Sequence, residues 1–593
     1  MDNLNEILRT VEKPARYTGG EYNEPQLQLS GFNFCMCFPD VYEVGMSNLG
    51  IRIVMDSINR NKNMTADRCF TPWTDFGDKL KENKIPLFSL GLKKPLKEFD
   101  MLGFSLQYEM CYTNILYMLD IAGIPFLKSE RDDKYPLITC GGPCAVNPEP
   151  LADFVDMFYI GDGEESVVKT AELFIKYKNN REEFLRQASK IDGVYVPKFM
   201  NVIYNEDGTV NHFEGITKVK KALLKDLDSA VFPEKMMIAN TEAVHDRVVV
   251  EVMRGCFRSC RFCQAGFVYR PVRKRTVDTI TKQSCSLLCS SGFEELSLNS
   301  LSTGDYPHLK DLLKSLKNNI PEGTKIALPS LRVDNFESEL AEEARKSSLT
   351  FAPEAGSQRL RDVINKDITE QEVLNGVKAA FQSGYFNVKL YFMLGLPTET
   401  DEDLLGIKDL VEKIQQVYRN MPRRSKALKI NISCATFIPK PFTPFQWEKQ
   451  ATKDEIEEKQ KLLRNNLRIK NIHFSWSSYD VSCLEAAFAR GDRKLGSVLL
   501  AAYKNGCVFD SWDEKFNADG WKSAFESENI DINFYLREIN REEILPWDFI
   551  DIFVEKKFLL KENKLAHNGT VSGNCKTQCK ACGMEKEFVC KFD

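Results

Sequence analysis

Val248-Val249-Val250-Glu251-Val252-Met253, a strand-like run, leads straight into Arg254-Gly255-Cys256-Phe257-Arg258-Ser259-Cys260-Arg261-Phe262-Cys263-Gln264-Ala265-Gly266. The C-x3-C-x2-C spacing sets the thiols of Cys256, Cys260 and Cys263 on one tight loop at a strand end. Three thiolates bind three irons of a cubane cluster and leave the fourth open, whereas an electron-transfer cluster is closed by four. Gly255 and Gly266 let the backbone approach such a cluster, and Arg254, Arg258 and Arg261 are placed to offset its negative charge. The competing reading is a structural zinc knuckle. It needs a fourth Cys or His close by, and the next candidates, Cys285 and Cys289, fall on a helical pattern.

Outward from this loop, apolar runs recur at Glu295–Leu298, Lys325–Leu328, Leu349–Ala352, Val388–Leu394 and Ile430–Phe437, separated by helical stretches such as Glu370–Phe381 and Asp401–Val417. Six βα units in this span predict a partial (β/α)6 TIM-type barrel with its site at the carboxyl ends of the strands. A separate α/β series precedes it. Phe32–Phe38, Met101–Leu106, Leu137–Cys140 and Phe154–Ile160 read as buried parallel strands, and Ile51, Val54, Met55 and Ile58 as one helix face. That pattern predicts an N-terminal Rossmann-like, doubly wound domain. The expected division is a segment 1–30, the Rossmann-like domain 31–170, a connector 171–240, the core 241–450, a helical region 451–569 and a Cys-rich tail 570–593.

With 593 residues the chain is too long for one core. No apolar run reaches the roughly 18 residues that span a bilayer, and MDNLNEILRT lacks the pattern of a signal peptide. A cytoplasmic protein without a membrane partner is expected. There the 18 cysteines are read as metal sites or small buried hydrophobes, not disulfides. Cys69, Cys111, Cys285, Cys434, Cys483 and Cys507 are assigned to the second class. A net charge of −5 argues against DNA and against any broad phosphate-binding surface.

The Cys loop and the segments behind it resemble the radical S-adenosylmethionine (SAM) superfamily over about residues 240–450. The resemblance implies a [4Fe–4S] cluster on Cys256, Cys260 and Cys263 as the catalytic centre, with Phe262 and Gln264 of the loop among the cofactor contacts. Phe351-Ala352-Pro353-Glu354-Ala355-Gly356-Ser357 resembles the fourth-strand segment whose Glu binds the SAM ribose, here Glu354. Leu394-Gly395-Leu396-Pro397-Thr398-Glu399-Thr400 resembles the turn that supports the adenine, through Gly395 and Pro397. Arg332, after the third strand, stands where a basic group would hold the SAM carboxylate. On the second strand the family's Gly-Gly-Glu is replaced by Glu295-Leu296-Ser297-Leu298-Asn299-Ser300. An electron donor such as flavodoxin or ferredoxin is implied.

The front series resembles cobalamin-binding domains. Asp40-Val41-Tyr42-Glu43-Val44-Gly45 matches their D-x-H-x-x-G segment with Tyr42 in place of the His, so Asp40, Tyr42 and Gly45 are implied contacts. Ser105 and Leu106 match the S-x-L segment, and Gly141 and Gly142 the Gly-Gly segment, that flank the nucleotide tail. A phenol with pKa near 10 is a poor cobalt ligand, so the implied cobalamin is base-off and has no His ligand. The alternative is a Rossmann-like domain that binds nothing, or a partner.

Lys13-Pro14-Ala15-Arg16-Tyr17-Thr18-Gly19-Gly20-Glu21-Tyr22-Asn23, Phe38–Met46, Val244–Arg247 and Arg490-Gly491-Asp492-Arg493 extend the likeness to an uncharacterised bacterial group of cobalamin-binding radical SAM proteins. As bare motifs, the first and last read as salt-bridged turns. The tail repeats C-x3-C-x2-C at Cys575, Cys579 and Cys582, with Cys590 or His567 as a fourth ligand. Zinc, an auxiliary iron–sulfur cluster and an unliganded tail all suit it.

The expected reaction is reductive SAM cleavage to a 5′-deoxyadenosyl radical, leading to cobalamin-dependent methylation of an unactivated carbon. Radical rearrangement or sulfur insertion, and a non-catalytic cofactor sensor or assembly factor, are the alternatives. The substrate, a small molecule or RNA, is not legible. Arg270–Arg275 and Arg423–Lys429 are the local basic stretches that favour RNA.

Overall fold

The structure, a computed structural model, describes residues 2–329, 349–422 and 426–590. The front domain is a six-stranded sheet of β1 (Phe32–Phe38), β2 (Met64–Phe70), β3 (Met101–Ser105), β4 (Leu137–Gly141), β5 (Met157–Tyr159) and β6 (Val194–Tyr195). Its order is β2-β1-β3-β4-β5-β6, parallel except for β6. From β1 the chain steps to β2 on one side and then crosses back to β3 on the other. This is the switch point at which open α/β sheets form a ligand crevice.

β1 is an almost continuous apolar run because helices cover both faces of the sheet. The helix Leu49–Asn59 starts where the Asn48 side chain accepts the Ile51 N–H, and it buries Ile51, Met55 and Ile58 as expected, with Val54 half-buried. Beyond 170 the chain is more regular than the sequence suggested. Helices Glu164–Tyr177 and Arg181–Ala188 lead to β6, which completes the sheet.

The core carries the six expected strands: β7 (Val248–Glu251), β8 (Glu295–Asn299), β9 (Lys325–Ala327), β10 (Leu349–Glu354), β11 (Asn387–Leu394) and β12 (Lys429–Thr436). A seventh, β13 (Ile472–Trp476), was not expected. The described strands form two parallel sheets, β7-β8-β9 and β10-β11-β12-β13. Helices Val277–Ser291, Leu309–Asn319, Glu370–Gln382 and Asp401–Arg419 lie between strands, in the βα alternation the apolar runs predicted. Helix Leu309–Asn319 shows the packing logic. Leu309, Leu312, Leu313 and Leu316 fall at i, i+3, i+4 and i+7, and all are buried. Each stabilises by about 2 kcal/mol, so Leu312→Ala costs on the order of 2–5 kcal/mol.

Behind the core, helices Tyr479–Arg490, Leu495–Lys504 and Ala518–Ser527 fold back toward the front domain, while Lys556–His567 packs beside the core helix Gln358–Val363. Thr113 Oγ1 donates to Asp510 Oδ2 (2.7 Å), and Trp512 Nε1 to Asp40 Oδ1 (3.1 Å). The motifs at both ends of the chain tie these layers together. Arg16 pairs with Glu43 (2.9 Å), Arg493 pairs with Glu149 (3.0 Å), and Arg490 donates to the Glu448 carbonyl (2.8 Å). Among the described residues no helix is long and apolar enough to cross a membrane.

Candidate functional site

The Cys loop leaves β7 at its carboxyl end. Gly255 turns the chain with φ +88, and a Cβ there would lie 2.7 Å from the Tyr269 carbonyl oxygen and 2.8 Å from that of Pro271, so only glycine fits. Cys260 is buried, while Cys256 and Cys263 are half-buried. The Arg258 N–H points at Cys256 Sγ (3.4 Å), and the Cys263 N–H closes a turn on the Cys260 carbonyl (3.1 Å). Burial, and next the neighbouring Cys260, push the Cys256 thiol up to about 12 and the Cys263 thiol to about 11. Thiols so placed stay protonated until a bound cation displaces their protons into solvent. The residues therefore fit a thiolate-bound cluster.

The three arginines do not offset a cluster's charge in the way expected from the sequence. Arg254 binds Asp162 (2.8 Å), Glu164 (2.7 Å) and Glu251 (2.9 Å). Arg258 forks onto Asp305 through Nε (3.0 Å) and Nη2 (2.8 Å), and Arg261 pairs with Glu562 (3.1 Å). A buried guanidinium needs a carboxylate partner, and each arginine has found one.

Around the loop, the structure gathers most of the residues expected on the SAM side. Glu354, with φ +68 beyond an irregularity in β10, pairs with Lys366 (3.1 Å). Lys366 lies over the Phe262 ring (5.7 Å), and both Lys366 and Glu354 are within electrostatic reach of Cys263. Phe262 packs into the small apolar cluster that holds Leu396, so the Gly395–Pro397 turn joins the same group. Gln264 Nε2 reaches the Pro441 carbonyl (3.3 Å). Arg332 lies outside the described residues. The sequence reading missed Lys366, because a lysine just past the end of the helix Gln358–Val363 carries no signal of its own.

A cavity opens between the front sheet and the core. It encloses about 390 Å³ and, with its open mouth, about 1420 Å³ of space free of protein. Ser105, Gly141 and Gly142 line one wall, from the carboxyl ends of β3 and β4, while Arg254, Gly255 and Asn299 line the other, from the ends of β7 and β8. Asp162 closes the join. Burial raises its pKa, but Arg273 and Arg254 outweigh that and hold it down at about 2. Asp162 and Glu164 were also missed, although Gly161-Asp162-Gly163-Glu164, glycine-bracketed carboxylates at a strand end, was a readable signal.

Asp40, Tyr42, Gly45 and Leu106 are not among the residues that line this cavity. Tyr42 is buried, donating to Glu21 (2.9 Å) and accepting from the Asn240 N–H (2.9 Å). Asp40 accepts from Tyr108 and Trp512, and a Cβ on Gly45 would strike Phe70. Tyr42 ties the N-terminal segment, and Asp40 the C-terminal region, to the sheet. A polar residue buried that deeply needs protein partners, and here it has them.

Other expectations also change. Arg270, Arg273 and Arg275 are buried, at 4%, 5% and 1% exposure, so this stretch is no basic surface patch. They donate inward instead, for example Arg275 Nη1 to the Leu227 carbonyl (2.6 Å). Residues 423–425 of the other basic stretch lie outside the described residues. His567 pairs with Glu448 (2.9 Å), away from the tail cysteines. Cys285 and Cys289 lie on helix Val277–Ser291 as expected, with Cys285 and Cys483 only half-buried.

A model of radical SAM proteins' N-terminal domain matches residues 50–197, and the radical SAM superfamily model matches 250–411. An uncharacterised protein of Methanocaldococcus jannaschii is 26% identical over 504 residues, 83% of this chain and 98% of that one, so the likeness extends to archaea. An uncharacterised methyltransferase of Pyrococcus horikoshii is 24% identical over 37% of this chain and 48% of its own length. Among solved structures, the radical SAM methyltransferase TsrM from Kitasatospora setae, with cobalamin and a [4Fe–4S] cluster bound, is 12% identical. Its TM-score is 0.44, over 68% of this chain and 74% of that one. With the superfamily model lying over the Cys loop and the ordered strands behind it, the chain belongs to the radical SAM superfamily.

Proposed function

We propose that this radical SAM enzyme methylates an unactivated carbon of its substrate, using a cluster on Cys256, Cys260 and Cys263 and a cobalamin in the cavity between its two α/β domains. The observation that carries this reading is the cavity itself. It joins the crevice of the front sheet to the strand end that bears the Cys loop, with Gly255 lining it one residue before Cys256. When bound, the cluster, reduced by one electron from an external donor, would split SAM into methionine and a 5′-deoxyadenosyl radical that takes the substrate hydrogen to give 5′-deoxyadenosine, and the cobalamin would supply the methyl group to the carbon left behind.

The chain's own residues bind, orient and exclude water. Glu354, beside Cys263 and paired with Lys366, is placed to take the ribose hydroxyls. Phe262 and the Gly395–Pro397 turn form an apolar shelf suited to the adenine. Small residues at Ser105, Gly141 and Gly142 leave room at the sheet's edge for a nucleotide tail, where larger side chains would fill it. Tyr42 is held by Glu21 and Asn240, so no side chain of the D-x-H-x-x-G match reaches into the cavity as a cobalt ligand. This supports a cobalamin without a protein ligand. The uncharacterised methyltransferase among the relatives is in keeping with methyl transfer.

The test is anaerobic turnover of reduced protein with SAM. Wild type is expected to release 5′-deoxyadenosine, and the Cys256→Ala/Cys260→Ala/Cys263→Ala variant none. If the variant makes it at the wild-type rate, the assignment of the loop is wrong. Mass profiles of metabolites and RNA nucleosides from a deletion strain should lack a product one methyl heavier than its precursor. A missing product with sulfur added or a rearranged skeleton would refute methyl transfer and leave the radical step standing.

A further inference from the structure

The C-terminal cysteines repeat the spacing of the first loop, and the structure lays them against its back. The Cys575 N–H donates to the Phe257 carbonyl (2.9 Å), and Arg261 Nη2 donates to the Thr570 carbonyl (2.8 Å). Asn365 bridges the two segments. Its Nδ2 donates to the Ser259 and Gly573 carbonyls (3.1 Å each), and its Oδ1 accepts the Ser572 N–H (3.0 Å). Both loops also turn an amide toward a sulfur two residues back: Arg258 N–H to Cys256, and Ala581 N–H to Cys579, each at 3.4 Å. Amides aimed at sulfur are how metal-binding loops stabilise thiolates.

Arg270 stands between the loops and is 4% exposed. Its Nε donates to the Gly266 carbonyl (3.0 Å) and its Nη2 to Ser259 Oγ (3.1 Å). Nη1 is buried and has no oxygen acceptor, while the Cys582 thiol stands close enough to the guanidinium to interact as its hydrogen-bonding partner. Cys256 on one side, and Cys575 and Cys582 on the other, are all within its electrostatic reach. A buried guanidinium N–H left without an oxygen acceptor is costly, and thiolates at Cys575 and Cys582 would supply the missing negative charge. Cys590 lies within electrostatic reach of Cys575, Cys579 and Cys582 and so completes a set of four. Among the described residues neither loop gathers three sulfurs on a single point, and the two are alike in this.

We propose that Cys575, Cys579, Cys582 and Cys590 form a second, closed metal centre, and that metal bound there latches the C-terminal segment onto the back of the Cys256–Cys263 loop. Its ligand is a thiophilic centre, either Zn²⁺ or an iron–sulfur cluster, since four thiolates satisfy both. Each bound sulfur gives its proton to solvent. The inference goes beyond the methylation reading and stands independently of it, because it requires neither SAM nor cobalamin.

The experiment uses the full chain with Cys256, Cys260 and Cys263 changed to Ala, which isolates the second centre. After anaerobic purification and reconstitution it is expected to hold zinc, or iron with sulfide, at one centre per chain; which metal is found identifies the centre. Adding Cys579→Ser, at an exposed position whose change disturbs no packing, should lower the retained metal at least twofold. Stripping the metal with a chelator should speed amide hydrogen exchange at least tenfold in peptides covering 570–583 and 256–264. Metal content no higher in the three-Ala chain than in one also carrying Cys575→Ser, Cys579→Ser and Cys582→Ser would overturn the centre. Unchanged exchange at 256–264 on stripping would overturn the latch.

Discussion

Gly141 and Gly142 are neighbours on the cavity wall, and the structure assigns them opposite tolerance to a methyl group. Gly142 has φ +112 and ψ −178, a region essentially restricted to glycine, where an L-residue costs about 1–3 kcal/mol. Its Cβ would also lie 2.6 Å from the Leu106 carbonyl oxygen and 3.1 Å from the Leu106 nitrogen. That backbone cannot move aside cheaply. The Leu106 N–H is bound to the Gly141 carbonyl (2.7 Å), and the Leu106 carbonyl accepts from the Cys144 N–H (3.3 Å). Gly142→Ala should therefore cost about 3 kcal/mol, at the top of the strain range because the steric contact adds to it. At Gly141 a Cβ meets Tyr159 at 3.5 Å and 3.6 Å, ordinary contact distances, so Gly141→Ala should fall within about 0.5 kcal/mol of wild type. Denaturant unfolding followed by front-domain hydrogen exchange reads the difference. Retention of hydroxocobalamin through desalting reads its consequence for the cavity, and Gly142→Ala should lose it. Equal stabilities for the two variants would show that the β3–β4 corner is not built as described, and the tail-channel assignment would fall with it.

Two further outcomes follow from buried charge. Arg254→Met removes the guanidinium shared by Asp162, Glu164 and Glu251 and should cost about 3 kcal/mol, the low end for a broken buried pair because Arg273 still holds Asp162; faster exchange in both segments, 160–166 and 250–255, checks it, and unchanged protection would refute an interdomain lock. Burial first of all lifts Asp510 to about 6, against its bonds from Thr113 and Trp521. A carboxyl with a raised folded pKa binds its proton more tightly in the folded state. Stability is then highest below the unfolded value near 4 and falls by roughly 3 kcal/mol as pH rises to about 6. Asp510→Asn should flatten that segment of the stability–pH curve, and an unchanged slope would mean that Asp510 titrates normally.

What could be read from the sequence followed burial on both faces. β1 and β3 are nearly unbroken apolar runs because helices cover them above and below, and period and composition then agree. β2, Met-Thr-Ala-Asp-Arg-Cys-Phe, is equally buried yet was passed over, because Asp67 and Arg68 break the run. Their cost is met only in three dimensions: Asp67 accepts the Gly91 (3.0 Å) and Leu92 (2.7 Å) amides, and Arg68 pairs with Glu21 and Glu24. The same blindness turned Arg270–Arg275 into an apparent surface patch, since composition counts charges and cannot see the carbonyls that receive them. The Cys loop was legible because its chemistry sits in consecutive residues. Its contact with the tail was not, because Cys575 and Phe257 are brought together only by the fold.

The interleaving of the loop has a mechanical sense that the spacing of its cysteines hides. Arg254, Arg258 and Arg261 alternate with Cys256, Cys260 and Cys263, and each arginine reaches a different part of the chain. Arg254 reaches the front sheet at Asp162 and Glu164, Arg258 the loops of the core at Asp305 and Asp367, and Arg261 the C-terminal helix at Glu562. Three fixed struts from three directions hold a loop that has little regular structure of its own. Because each guanidinium is already neutralised by its carboxylate, the charge of bound thiolates falls to backbone amides such as that of Arg258, and to Arg270, whose buried Nη1 has no oxygen acceptor. A planar fork is needed where Arg258 grips both oxygens of Asp305, and a lysine ammonium, a point charge, cannot reproduce it. The arginines thus serve the cluster through geometry rather than charge, and the loop's position couples the front domain, the core and the C-terminal region to a single site.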